Sequence, residues 1–265
     1  MATTSSETKR LSDEQLVAVS ALIKDSDTVE LKMTVPLEQH AHTIQVLEMD
    51  PIEAQIRQVF FFDTPELTLY ENGVVARARR VQGKGDDSVV KLRPVVPGDL
   101  PSAVRSSPDF GVEVDAMPGG YVCSGSLKGT PKNDVRTTVA GGTQLGSLFS
   151  KAQREFYAAH APEGVTFDDL SVLGPIFVLK LKFNPKALNR KMVAEMWLYP
   201  DNSRILELST KCTPAEAFQV AAEARVFLTG HGVDLGGEQE TKTRKALEFF
   251  SEQLKASATQ AESPG

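Results

Sequence analysis

Basic residues two apart recur along this chain, at Arg77-Ala78-Arg79, Lys91-Leu92-Arg93 and Lys180-Leu181-Lys182. Acidic or mixed sets share the spacing at Glu30-Leu31-Lys32, Glu113-Val114-Asp115 and Glu207-Leu208-Ser209-Thr210-Lys211. Gathered ammonium and guanidinium groups bind anions, and carboxylates beside them either pair with the bases or hold a hard divalent cation. A period of two belongs to an extended strand, so each segment is expected to present one charged and one apolar face. Like charges ~7 Å apart on one strand face repel by roughly 2 kcal/mol at an effective dielectric near ~20. A sheet with one wet face also alternates, but it would carry mixed polar residues and opposite charges placed to pair across strands. The like-charge pairs instead call for an outside counter-charge. A closed barrel with these residues on its inner wall would hold a polyanion.

The elements that must position them can be read from pattern. A capping box of Ser12 and Gln15 opens a helix over 12–24 with Leu16, Val19, Leu22 and Ile23 as its apolar stripe. Strands are expected at 28–35 and 52–63, around Arg77, on a return strand carrying Lys91 and Arg93, around Glu113, in the segment from Tyr121 to Lys128, and at 176–183, 191–199 and 203–211. Pro36 begins a second helix, and Asp63-Thr64-Pro65 is a turn followed by a short helical stretch at 66–70. Leu145, Leu148, Phe149, Ala152 and Phe156 predict an outer amphipathic helix over 143–161, and Thr213-Pro214 starts another that stops near Gly230. A last helix is expected over 239–254. The fold class expected is α+β, mainly antiparallel β: a closed eight-stranded β-tunnel with helices packed outside. Residues 1–26 read as a helical extension, 27–255 as a single tunnel domain and 256–265 as a disordered tail.

Composition restricts the partners. The 265 residues are 41% hydrophobic and 24% charged with a formal net charge of -6, which suits a soluble globular protein and argues against a general nucleic-acid or membrane-surface binder. Any positive potential must be local. No apolar run reaches the ~20 residues that span a bilayer. Cys123 and Cys212 are too few and too far apart for a zinc site, and with the polar start they set the expectation of a cytoplasmic protein. His40, His42, His160 and His231 are expected at the surface rather than as metal ligands.

From about Thr28 to Phe250 the chain resembles the CYTH superfamily, the triphosphate tunnel metalloenzymes. The most specific piece is Phe62-Asp63-Thr64-Pro65 followed by Gly73 and Ala76-Arg77-Ala78-Arg79-Arg80, similar to the FDTP and LRxR elements of that family. Val29-Glu30-Leu31-Lys32 resembles its opening ExExK strand, Lys91 falls in the slot of its TLK element, and Ile205-Leu206-Glu207-Leu208-Ser209 in that of its late ExE strand. Thr28 and Ser209 stand where the pattern has Glu, and a further acidic position upstream falls near Glu195 or Trp197.

The resemblance implies a metal-dependent phosphohydrolase acting on tripolyphosphate or a nucleoside or organic triphosphate such as ATP or thiamine triphosphate, with Mg²⁺ or Mn²⁺ as cofactor. It implies phosphate contacts from Lys32, Arg77, Arg79, Lys91, Lys180 and Lys182. Strand parity adds Arg93, Lys128 and Lys211, and Lys242 sits where some members have a lysine closing one tunnel mouth. Glu30, Glu113, Asp115 and Glu207 form the implied metal set, and Glu30, Lys32, Arg77, Arg79 and Glu207 the implied catalytic set. Two other readings stay open. One is a class IV type adenylate cyclase, with Trp197, Tyr199 or Phe183 lining a base pocket. The other is a non-catalytic triphosphate- or polyphosphate-binding module, for which Thr28 and Ser209 are the motive.

Overall fold

In the computed structural model, which describes residues 13–235 and 242–261, nine strands close into one barrel. They are β1 (Thr28–Val35), β2 (Gln55–Asp63), β3 (Val74–Val81), β4 (Asp87–Leu92), β5 (Phe110–Met117), β6 (Gly120–Gly129), β7 (Ser171–Phe183), β8 (Met192–Leu198) and β9 (Arg204–Cys212). Around the barrel the order is β1-β5-β6-β4-β3-β2-β7-β8-β9, and β9 pairs back onto β1. The sheet is mixed rather than purely antiparallel, because β5 runs parallel to β1 while every other neighbour is antiparallel. The count exceeds the expected eight by one, and closure leaves no open edge.

Alternation sorts the side chains as the spacing predicts. On β1, Val29, Leu31, Met33 and Val35 are buried while Thr28, Glu30, Lys32 and Thr34 share the other face. The apolar faces point outward, beneath helices, and the charged faces point into the barrel. Helix α1 (Asp13–Lys24) brings Val19 and Ile23 onto Val29, Leu31, Val112 and Val114. Helix α2 (His40–Val46) and helix α4 (Ala217–Gly230) cover Met33, Val35, Leu206 and Leu208, and helix α3 (Lys151–Ala158) covers Phe60, Phe62, Ala76 and Ala78. Helix α5 (Lys242–Ala261) behaves differently. Its Ala246, Leu247 and Phe250 pack with Val59, Phe61, Ile176, Val178, Trp197 and Ile205, which share the inner face of their strands, so α5 stops one end of the barrel with apolar side chains.

Several boundaries differ from the sequence reading. The 143–161 segment is not one helix: Leu145–Leu148 is a 3-10 turn, Phe149 is extended, and α3 starts only at Lys151. The reason is a capping box in which Ser150 and Gln153 satisfy each other's backbone amides, fixing a new start there. Residues 51–53 form a 3-10 turn ahead of β2, and β7 begins at Ser171, five residues before expectation. The last helix runs on to Ala261, into the segment expected to be a tail, and its expected start at Gln239 lies outside the described residues. So does the Ser12 cap of α1. His40 is buried, not at the surface, because its Nε2 lies 3.0 Å from the carbonyl of Val35.

Two local features aim residues at the interior. The Asp63 carboxylate accepts the amides of Thr64 and Leu69 at 2.8 Å and of Tyr70 at 2.9 Å, so it shapes the turn after β2 and is not a ligand. Gly73 has φ 74, and a Cβ there would lie 2.9 Å from the Arg93 carbonyl oxygen. That close approach lets Arg93 donate its amide to the Gly73 carbonyl at 2.8 Å, pinning Arg93 just past β4.

Candidate functional site

The inner wall collects charge from eight strands and one helix. Glu30 and Lys32 come from β1, Arg57 from β2, Arg77 and Arg79 from β3, and Lys91 from β4. Beyond β4 lies Arg93, and β5 adds Glu113 and Asp115, β7 Lys180, β8 Glu195, β9 Glu207 and Lys211, and α5 Lys242. Cross-strand register keeps these on one face: Lys180 is opposite Glu195, Glu195 opposite Glu207, and Glu30 opposite both Lys211 and Asp115.

Three carboxylates converge. Glu30, Glu113 and Asp115 each offer an oxygen within 4.8 Å of the others. Asp115 is fully buried and is met by Lys32 at 2.7 Å, Arg93 at 3.0 Å and Lys91 at 4.0 Å. Lys32 also lies 3.3 Å from Glu30, and Lys211 lies 3.7 Å from Glu30 and in direct contact with Glu113. Burial would raise the pKa of Glu30 and Asp115, but the surrounding lysines, with Arg93 for Asp115, outweigh it and hold both below the usual carboxylate range. These pairs in turn hold Lys32 above its ordinary value despite burial. The two positions that depart from the family pattern support the same cluster. The Ser209 hydroxyl donates to Glu30 at 3.0 Å, and the Thr28 hydroxyl donates to Glu113 at 3.4 Å. An all-carboxylate donor set with one buried member suits a hard divalent ion such as Mg²⁺ or Mn²⁺ and no soft metal.

The bases are less evenly matched. Arg77 forms no ion pair within 4.0 Å among the described residues, and its Nε is buried without an acceptor. Burial first, then the neighbouring Arg79, pushes its guanidinium down to about 9. Lys91 is pushed down to about 8 by burial, with Lys32 and Arg93 adding to the effect against the pull of Asp115. Arg79 forks onto Asp87 at 2.7 and 2.8 Å. Arg57 donates to Gln55 at 2.8 and 3.2 Å. Lys180 is 2.7 Å from Glu195, yet burial still lowers its pKa.

Most of the predicted residues meet in this interior, with three departures. Glu207 stands apart from the three converging carboxylates: its Oε1 is 2.7 Å from Lys242, which also holds Glu195. Lys128 and Lys182 have the inward parity but are exposed, towards the end opposite α5, where Lys211 is also half exposed. The rings suggested for a base pocket are occupied in packing. Trp197 and Tyr199 are buried in the apolar stopper with α5, and Phe183 packs against the outer cluster under α4. Arg57, Asp87 and Glu195 are interior charges that the sequence reading left out of its site. Arg57 had a usable signal, since it stands two and four residues before Val59 and Phe61 on one strand face.

No protein-family model matches the sequence, and no curated protein does. Among solved structures, the fold resembles that of a Hippeastrum protein named as an adenylyl cyclase and reported to have a dominant triphosphatase activity, with a TM-score of 0.61 at 15% identity over 82% of this chain and 93% of that one. It also resembles a Bacillus halodurans protein named as an adenylate cyclase, with a TM-score of 0.57 at 12% identity over 83% of this chain and 97% of that one. The chain thus shares the closed-barrel fold of these two structures. No helix among the described residues is long and apolar enough to cross a membrane.

Proposed function

We propose that this protein is a metal-dependent phosphohydrolase that takes tripolyphosphate or an organic triphosphate into its barrel. The observation that carries this reading is Arg77, whose buried Nε has no acceptor and which makes no ion pair among the described residues; burial also disfavours the charge of Lys91 on the next strand. Buried charges are otherwise paired, so Arg77 is arranged for an anion that arrives from outside, while Lys91 only shares Asp115 with Lys32 and Arg93. Arg77, Arg79, Arg57 and Lys180 face one side of the interior and Lys32, Lys91 and Arg93 another. A chain of phosphoryl groups could bridge them, with each guanidinium able to take two oxygens.

Phosphoryl transfer asks the protein mainly to position the chain and spread developing charge. Glu30, Glu113 and Asp115 would hold a divalent ion, which supplies Lewis-acid polarisation of a phosphoryl oxygen. Lys32 and Arg93, fixed by Asp115, would neutralise phosphoryl oxygens of the bound chain. Lys211 contacts both Glu30 and Glu113 from the open end and is positioned to meet the incoming anion first.

The structural neighbours carry cyclase and triphosphatase names, and hydrolysis is the better supported of the two because Trp197 and Tyr199 are packed rather than free to stack a base. The test is a panel of tripolyphosphate, ATP and thiamine triphosphate, with and without Mg²⁺ and Mn²⁺, followed by product chromatography. Phosphate release that requires the metal supports hydrolysis. Cyclic AMP with pyrophosphate would replace this reading with cyclisation, and metal-independent binding without turnover would replace it with a binding module.

A further inference from the structure

Glu195 and Glu207 stand directly opposite one another on β8 and β9, with side chains only 14% and 9% exposed. Like charges in that relation repel, and in a dry interior the pair demands a cation. The cation comes from α5. Lys242 Nζ lies 2.5 Å from Glu195 Oε2 and 2.7 Å from Glu207 Oε1, taking one oxygen from each strand. The second oxygen of Glu195 is held by Lys180 at 2.7 Å. Lys242 is itself fixed, with its ammonium 5.0 Å from the centre of the Trp197 ring and its carbonyl accepting the Tyr199 hydroxyl at 3.0 Å. One positive centre bridging two carboxylates from adjacent strands is the arrangement a divalent ion would adopt, here at hydrogen-bond distances roughly 0.5 Å longer than those of Mg²⁺ to oxygen.

We propose that Lys242 is a tethered cation occupying the place of a second metal ion. Glu207 is thereby withdrawn from metal binding. The protein loads its divalent ion on Glu30, Glu113 and Asp115 alone, and the seating of α5 is tied to the charge balance of the interior. A separate observation agrees: two residues beyond Glu207 on the same strand face, Ser209 gives Glu30 a hydroxyl rather than adding a carboxylate that would join the two acidic groups. The inference rests on the reading that the three converging carboxylates hold a divalent ion.

The experiment is Mn²⁺ titration of the full chain followed by electron paramagnetic resonance of free Mn²⁺, with a melting curve of each variant as the check on folding. The wild type is expected to bind one ion, Lys242→Met two, and Lys242→Met with Glu207→Gln one again. Glu113→Gln is expected to bind none, which tests the converging carboxylates separately. A wild type that binds none beside a Lys242→Met that binds one would remove the metal reading and leave the role of Lys242 standing. A folded Lys242→Met that binds no more than the wild type overturns the proposal. Should that variant fail to fold, Glu207→Gln alone decides: unchanged stoichiometry supports the tethered cation, and loss of an ion assigns Glu207 to the metal and overturns it.

Discussion

Arg77→Met should make the anion-free protein more stable and blind to its ligand. Burial takes this guanidinium well below its ordinary value, to about 9, and its Nε has no acceptor. At ~1.4 kcal/mol per pKa unit, holding it charged in the fold costs up to ~5 kcal/mol. Replacing buried ion pairs by apolar side chains of similar volume recovers up to ~1–4 kcal/mol in other proteins, and ~2 kcal/mol is taken for this single charge. For a chain of this size that raises the melting temperature by roughly 4–8 °C. The wild type should gain ~2.7 kcal/mol from tripolyphosphate at ~100 times its dissociation constant, and the variant almost nothing. Differential scanning calorimetry with and without tripolyphosphate therefore gives a reversal of order: the variant melts higher when empty and lower when the anion is saturating. A variant that melts lower when empty and keeps the full ligand shift would refute the claim that Arg77 is an uncompensated charge awaiting an anion.

Lys91 should give binding a pH dependence. Its folded value of about 8 lies below the ordinary 10.5, so the cost of its charge is fully present below pH ~8 and is relieved as pH rises from there to ~10.5. The empty protein should gain stability over that window while affinity for tripolyphosphate falls, and calorimetry near pH ~8.5 should show proton uptake on binding as a buffer-dependent enthalpy that Lys91→Met abolishes. Gln153→Ala should cost ~2–4 kcal/mol in urea denaturation, because this fully buried amide accepts from the Ser150 amide at 2.9 Å and the Ser88 hydroxyl at 3.0 Å and donates to the Ser88 and Leu127 carbonyls at 3.1 Å. Lys128→Ala and Lys182→Ala, both exposed, should change stability by less than ~0.5 kcal/mol and slow anion association mainly at low salt, as stopped-flow measurements would record.

The barrel was legible because its strands obey a period of two without interruption where the charges lie, and that parity alone sends Lys32, Arg77 and Lys91 inward. It failed where hydrophobic runs hide parity. The run Val59-Phe60-Phe61-Phe62 is apolar on both faces, since Phe60 and Phe62 meet the outer cluster while Val59 and Phe61 meet α5, so Arg57 could be assigned to the interior only by counting two and four residues back from Val59 and Phe61 and not by a charged alternation. Pairings made by distant elements leave no local mark either. Lys242 reaches Glu195 and Glu207 from across the chain, and only the closed tertiary structure shows Glu207 drawn toward that helix and away from Glu30. The parallel neighbour β5 beside β1 was likewise a matter of topology, which alternation does not report.

Placing the apolar core outside the barrel wall and the charge within it divides two tasks between odd and even positions of the same strand. Adjacent residues such as Arg77 and Ala78 answer to different demands, one to the charged interior and one to the packing under α3. Exchange of inward side chains can therefore retune what the interior holds while the outer packing is left intact. Loss or gain of a single residue within β3 would be a different event, because it turns the guanidinium groups into the apolar layer and the alanines into the lumen at once. A length change in a connecting loop would leave that parity untouched.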